Sequence, residues 1–163
     1  MALVIEDGTG VAEADSFVTA QAIVDFALKR GIIITLEAAE IHAIKAMDYF
    51  YTLCLLGEVA FPGVQWVPYP RMGLIAGDTE AGFEYEIPRN VTLAQLHLAV
   101  DSFNGIELVP SRKAEPKLKR RKTGPIEREY FEAVDYLPDL PMVDALMSPL
   151  KCGQGARIRT YRA

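Results

Sequence analysis

The chain has 163 residues, 50% of them hydrophobic and 24% charged, which suits one folded domain with a modest core and excludes a disordered chain. No run reaches the roughly 18 apolar residues of a spanning helix, and MALVIEDGTG has no basic stretch ahead of an apolar one, so a soluble product made in the cytoplasm is expected. The net charge of −5 conceals a split: up to Ser111 there are 5 Lys and Arg against 15 Asp and Glu, and from Arg112 onward 12 against 7. The expected organisation is a single domain, 1–163, with an acidic body (1–111), a basic hairpin region (112–136), a short helix (139–150) and a C-terminal arm (153–163).

In chain order, EDGTGVAEADSF is rich in Gly and Asp and reads as an irregular arm. Thr19 is a good N-cap for a helix in which Ile23, Phe26, Ala27 and Arg30 recur at helical spacing, and Gly31 stops it. Thr35 caps a longer second helix through LEAAEIHAIKAMDYFYTLCLL, whose predicted buried stripe is Ile41, Ile44, Met47, Tyr51 and Leu55, with Gly57 as its end. From Gly57 to Pro88 the density of Pro and Gly predicts ordered loop wrapped on the helices, with YEI as the one strand-like fragment. A third helix opens at Pro88; Val91, Leu93, Ala94, Leu96, Leu98, Ala99 and Val100 leave it hardly any polar face, so it should be the central one. A last helix, PMVDALMSPL, is expected to start from an Asp139 cap and stop near Pro149.

Chemistry-bearing patterns are sparse. Cys54 and Cys152 have no CxxC context and no His partner, and two buried or idle thiols are expected. His42 and His97 stand on predicted helices, neither at i,i+4 from another ligand-type residue. There is no GxSxG, HExxH or Walker loop, and the EDGTG and GQG pieces lack the strand-to-helix context of a phosphate loop. Asp78, Glu80, Glu84 and Glu86 do not follow the calcium-loop spacing. No enzyme activity, metal or cofactor is expected.

The most informative stretch is KLKRRKTGPIEREYF, residues 117–131. Its positive charge suits a nucleic-acid contact, yet it also alternates around Thr-Gly-Pro as a hairpin does. With a three-residue loop Thr123–Pro125, Arg121 stands opposite Glu127, Lys119 opposite Glu129, Leu118 opposite Tyr130, Lys117 opposite Phe131 and Arg120 opposite Arg128. Two opposite-charge pairs then neutralise part of the charge, and Arg120, Arg128 and Lys122 remain to meet DNA or an acidic neighbouring subunit. The candidates for a DNA-channel or subunit contact are therefore Lys119, Arg120, Arg121, Lys122 and Arg128. In the tail, Ile158 and Tyr161 alternate with Arg157, Arg159 and Arg162, which is strand-like, and these five are candidates for docking on another chain.

Several pieces stand together in one order: ALVIEDGTG with ADSFVT; Ala46, Asp48, Tyr49 and Phe50; Gln65, Tyr69, Pro70, Arg71 and Gly73; IPRNVTLAQLHLA; KTGPIEREY; and VDALMSPLKCGQGARIRTYR. Over nearly its full length the chain resembles a family of small tailed-phage proteins labelled DnaT-like single-stranded-DNA-binding proteins, which are similar to phage head–tail adaptor (connector) proteins. It departs from them in having Tyr69 where Trp is usual, and in a GEVAFPG loop without basic residues. The resemblance implies a mainly α fold, a small bundle of about four helices with a protruding β-hairpin and an extended C-terminal arm. It also implies a structural dodecamer, a ring at the head–tail junction of the virion. That ring would dock on the portal through its C-terminal arm, receive the next neck or tail protein on its other side, and let double-stranded DNA through.

This adaptor role is the expectation, with single-stranded-DNA binding as the alternative. Against the alternative, the acidic body repels phosphate, and near the basic segment only Tyr130, Phe131 and Tyr136 offer stacking surface.

Overall fold

A computed structural model describes residues 3–73, 86–109, 118–123, 126–131 and 138–152. Among these are four α-helices: α1 (Ala20–Leu28), α2 (Leu36–Tyr51), α3 (Arg89–Phe103) and α4 (Pro141–Met147), the last running into a 3₁₀ turn, Ser148–Leu150. Two small antiparallel sheets accompany them, β1 (Glu58–Val59) with β2 (Arg71–Met72), and β3 (Leu118–Thr123) with β4 (Ile126–Phe131). The predicted class, a mainly helical bundle with a hairpin, is the one observed.

Capping follows the sequence closely. Thr19 and Thr35 accept from the backbone N–H groups of Ala22 and Ala38, three residues into α1 and α2, and each cap stabilises its helix by about 1 kcal/mol. Gly31 takes a φ of 75°, the left-handed conformation that closes a helix at little cost for glycine. At α4 the expectation fails: Leu140 is the N-cap residue with Pro141 at the first helical position, and Asp139 makes no cap.

The central role predicted for α3 holds. It packs on α2, α4 and α1 and buries Val91, Ala94, Gln95, Leu98, Ala99, Val100 and Ser102. The buried face of α2 differs from the predicted stripe. Ala39, Ala43, Ala46 and Phe50 are fully buried with Met47 and Tyr49, whereas Ile41 and Tyr51 are each 56% exposed. Small side chains let the α2 and α3 backbones approach, so that contact selects the alanines and leaves the bulkier isoleucine outside. Helix α2 also ends at Tyr51, well before Gly57. The donors that would continue it turn elsewhere: Thr52 and Leu53 N–H bond to the carbonyls of Tyr49 and Phe50, only three residues back, and Leu56 N–H donates to the Leu150 carbonyl; beyond them Cys54 accepts from Cys152 N–H, and Leu55, Leu56 and Gly57 accept from Arg71.

The N-terminal segment is irregular, as expected, and is fastened to the bundle. A parallel bridge joins Ile5 to Ser16, and Phe17 inserts edge-on between Phe50 and Tyr69, with ring centroids at 5.7 and 6.2 Å. Gln95, with no exposed surface, fastens it from α3: its Oε1 accepts from Phe17 N–H at 2.9 Å, and its Nε2 donates to Ser16 Oγ at 2.8 Å. A buried amide between three elements satisfies groups that would otherwise be orphaned. Gly10, at φ 78°, passes so close to the Phe61 ring that no side chain fits there.

The cysteines depart from expectation. Cys54 and Cys152 form a disulfide with a Cα–Cα distance of 5.3 Å, beside the Leu55–Lys151 bridge and the hydrogen bond from Leu56 N–H to Leu150 carbonyl at 2.9 Å. Spacing patterns find metal sites and redox motifs, but a bridge across 98 residues has no local signature.

Candidate nucleic-acid interface

The β3–β4 hairpin carries the expected cations in a register shifted by one from the sequence reading. Thr123 pairs with Ile126, which leaves two residues between the strands instead of three, and Lys122 stands opposite Glu127, Arg121 opposite Arg128, Arg120 opposite Glu129, Lys119 opposite Tyr130 and Leu118 opposite Phe131. A one-residue slip changes every cross-strand partner. The like-charge pair is thus Arg121 with Arg128, not Arg120 with Arg128, and it sits between two opposite-charge pairs. The strands hold five basic residues against two acidic ones, and Lys119, Arg121 and Arg128 have no acidic partner in the register. Lys117 and the arm candidates Arg157, Ile158, Arg159, Tyr161 and Arg162 lie outside the described residues, as do Asp78, Glu80 and Glu84.

On the helical body, the most conspicuous glycine-rich piece is closed to external anions. The Glu6 carboxylate, 1% exposed, accepts from the N–H groups of Gly8 and Gly10 at 2.9 Å and of Val11 at 2.8 Å. Such converging backbone donors form an anion nest, and here the chain fills it with its own side chain.

Arg71, in the Tyr-Pro-Arg piece, serves the fold. Its guanidinium donates to the carbonyls of Leu56 (2.6 Å), Gly57 (2.5 Å), Leu55 (3.2 Å) and Pro68 (3.3 Å). Gln65 closes the same loop, donating to the carbonyls of Val67 at 2.7 Å and Pro70 at 3.1 Å. Tyr69 is fully buried, its hydroxyl has no partner among the described residues, and burial pushes its pKa up to about 12, opposed by the nearby Arg71 charge. The motif residues shape a shallow groove of about 250 Å³ between the end of α2 and the 59–71 loop, lined by Tyr51, Val59, Trp66, Pro68 and Arg71 among others. Trp66 is 61% exposed, and its carbonyl accepts from the Tyr51 hydroxyl at 3.1 Å. Sequence reading did not single out this aromatic pair; a lone Trp in a Pro- and Gly-rich loop was the available signal.

The histidines are packing groups. His42 Nδ1 lies 2.8 Å from Ser102 Oγ, and His97 meets the Phe26 ring edge-on at 5.0 Å. Burial lowers both pKa values, reinforced by Lys45 at His42 and by Arg30 at His97. Arg30 itself stacks on Phe26 at 3.4 Å, a cation–π contact. Among the described residues no three His, Cys, Asp or Glu side chains cluster as metal ligands, and no helix is long and apolar enough to cross a membrane.

A family model described as "Putative DnaT-like ssDNA binding protein" matches residues 1–163. The chain belongs to that family. No curated protein and no solved structure matches it. The family description overturns the expected role: it names single-stranded DNA as the ligand, which was the alternative reading, and no finding supports the virion, connector or portal assignments drawn from adaptor proteins. The acidic body argued against DNA, but net charge sums the whole surface, whereas binding needs only one locally positive element. The hairpin is such an element.

Proposed function

We propose that this protein binds single-stranded DNA without sequence preference, through the cationic β3–β4 hairpin. The observation that carries the reading is the register, which sets Arg121 opposite Arg128 in mid-ladder with Lys119 opposite Tyr130. Like charges directly opposite destabilise a strand pair, and a phosphate bound there removes the repulsion. Pairing Lys119 with an aromatic residue brings charge and stacking surface together, the combination used on unpaired strands. The family description supports the same ligand. The reading requires no catalytic group.

The test is fluorescence anisotropy with a labelled oligothymidylate and with a duplex of equal length over a salt series. Binding should weaken as salt rises, with a log–log slope of about −0.7 per phosphate neutralised. Arg121→Gln/Arg128→Gln should reduce that slope by about 1.4 if each arginine meets one phosphate. Duplex bound as tightly as the single strand, or a double variant with an unchanged slope, refutes the proposal.

A further inference from the structure

We infer that the groove between Tyr51, Trp66 and Arg71 is a second single-stranded-DNA subsite, which takes one unpaired base against the aromatic pair and its phosphate toward Arg71. The inference rests on the DNA-binding reading and places a contact on the helical body, away from the hairpin sequence. Three features of the groove carry it.

The first is aromatic exposure. Trp66 is 61% and Tyr51 56% exposed, although both are large rings beside a core that buries Phe50, Val67 and Tyr69. The bond from the Tyr51 hydroxyl to the Trp66 carbonyl ties the loop backbone to α2, and both side chains line the same groove. Stacking on aromatic rings tolerates any base.

The second is the charge of Arg71. A guanidinium has five N–H donors, and the carbonyls of Leu55, Leu56, Gly57 and Pro68 accept from four of them. All four acceptors are neutral, and no carboxylate pairs with Arg71 among the described residues. Among the described residues the positive charge at the groove wall thus has no carboxylate partner, and one donor on Nη1 makes none of these four bonds and can serve a phosphate oxygen.

The third is polarity. Burial raises the Tyr51 pKa, and the charges of Asp48 and Asp15 raise it further, so the Tyr51 end lies in a negative field. Phosphate is disfavoured there and favoured at Arg71, whereas a neutral base is indifferent to the field. The groove thus orients a nucleotide, base toward the rings and phosphate toward the arginine.

Trp66 is the chain's single tryptophan, so its fluorescence reports this groove directly. Titration with oligothymidylate should quench it, while an abasic strand of the same length and charge should bind by anisotropy without quenching. Trp66→Ala should weaken oligothymidylate binding about 5- to 100-fold and leave the salt slope unchanged; its circular dichroism establishes that it folds. If anisotropy rises with no quenching, or Trp66→Ala binds as the wild type does, the subsite is wrong while hairpin binding stands. If neither anisotropy nor fluorescence changes, the DNA-binding reading itself fails. A blue shift that grows with protein concentration in the absence of DNA makes a second copy of this chain the occupant and overturns the inference.

Discussion

Replacing Glu6 by glutamine changes one oxygen to an amide nitrogen and leaves shape almost untouched, so its effect isolates the anion nest. In the native loop, one carboxylate oxygen takes the Gly8 and Gly10 N–H groups and the other takes that of Val11. A hydrogen bond to a charged group stabilises by roughly 1.5–3 kcal/mol and a neutral one by roughly 0.5–1.5. The amide oxygen keeps its two donors at the neutral value, a loss of about 2 kcal/mol, while the amide NH₂ confronts the Val11 donor and leaves it unmatched, a further ~1–3 kcal/mol. Some relaxation of the loop brings the expected loss to about 2–4 kcal/mol, a large fraction of the roughly 5–15 kcal/mol of a typical domain. Urea unfolding followed by circular dichroism measures it, and hydrogen exchange should locate the loosening at Gly8, Gly10 and Val11 before α3. A variant within about 0.5 kcal/mol of wild type would mean that Glu6 does not hold the N-terminal segment, and the nest argument would fall.

Reducing the Cys54–Cys152 bond, or replacing both residues by serine, opens a loop spanning 98 residues; a loss of about 2–5 kcal/mol is expected, and identical urea curves with and without reductant would exclude it. Gln95→Leu keeps the volume but strips Phe17 N–H of its acceptor and Ser16 Oγ of a donor, which should cost about 1–3 kcal/mol, read from the same midpoints. His42 and His97 have folded pKa values below their unfolded ones, so between the two values the unfolded chain binds more protons and stability falls with acidification. The midpoint should decline as pH drops through about 6.5, and His42→Gln/His97→Gln should flatten that decline; a decline of equal steepness in the double variant refutes the assignment.

How much was legible in the sequence depended on whether a signal was local. Thr19, Thr35 and Gly31 act within one turn of the chain, and their roles could be read directly. The apolar wrap of α3 was also visible, because a helix contacted by three others needs no single stripe. Helix α2 misled because hydropathy ranks isoleucine above alanine, while helix–helix proximity here favours Ala39, Ala43 and Ala46. The hairpin was recognisable from its turn residues, but a two- or three-residue loop satisfies the same signal and the two choices exchange every partner. Glu6, Gln95 and the disulfide were missed for one shared reason: their partners are fixed only after the chain has folded back. For the candidate interface, the cations were read and their pairing was not, and Trp66 was passed over because a loop aromatic has no periodicity to betray it.

Arg71 has a consequence for how this surface evolves. A lysine ammonium has three donors on a point charge and cannot gather four carbonyls in the fan that the guanidinium does, so even the mildest exchange of basic residues at this position disturbs the segment that follows α2. The cation at the groove is thereby shielded from drift by the fold that depends on it, whereas Trp66, which nothing in the core requires, is free to change with the ligand. Related chains should vary at the ring and hold fast at the charge.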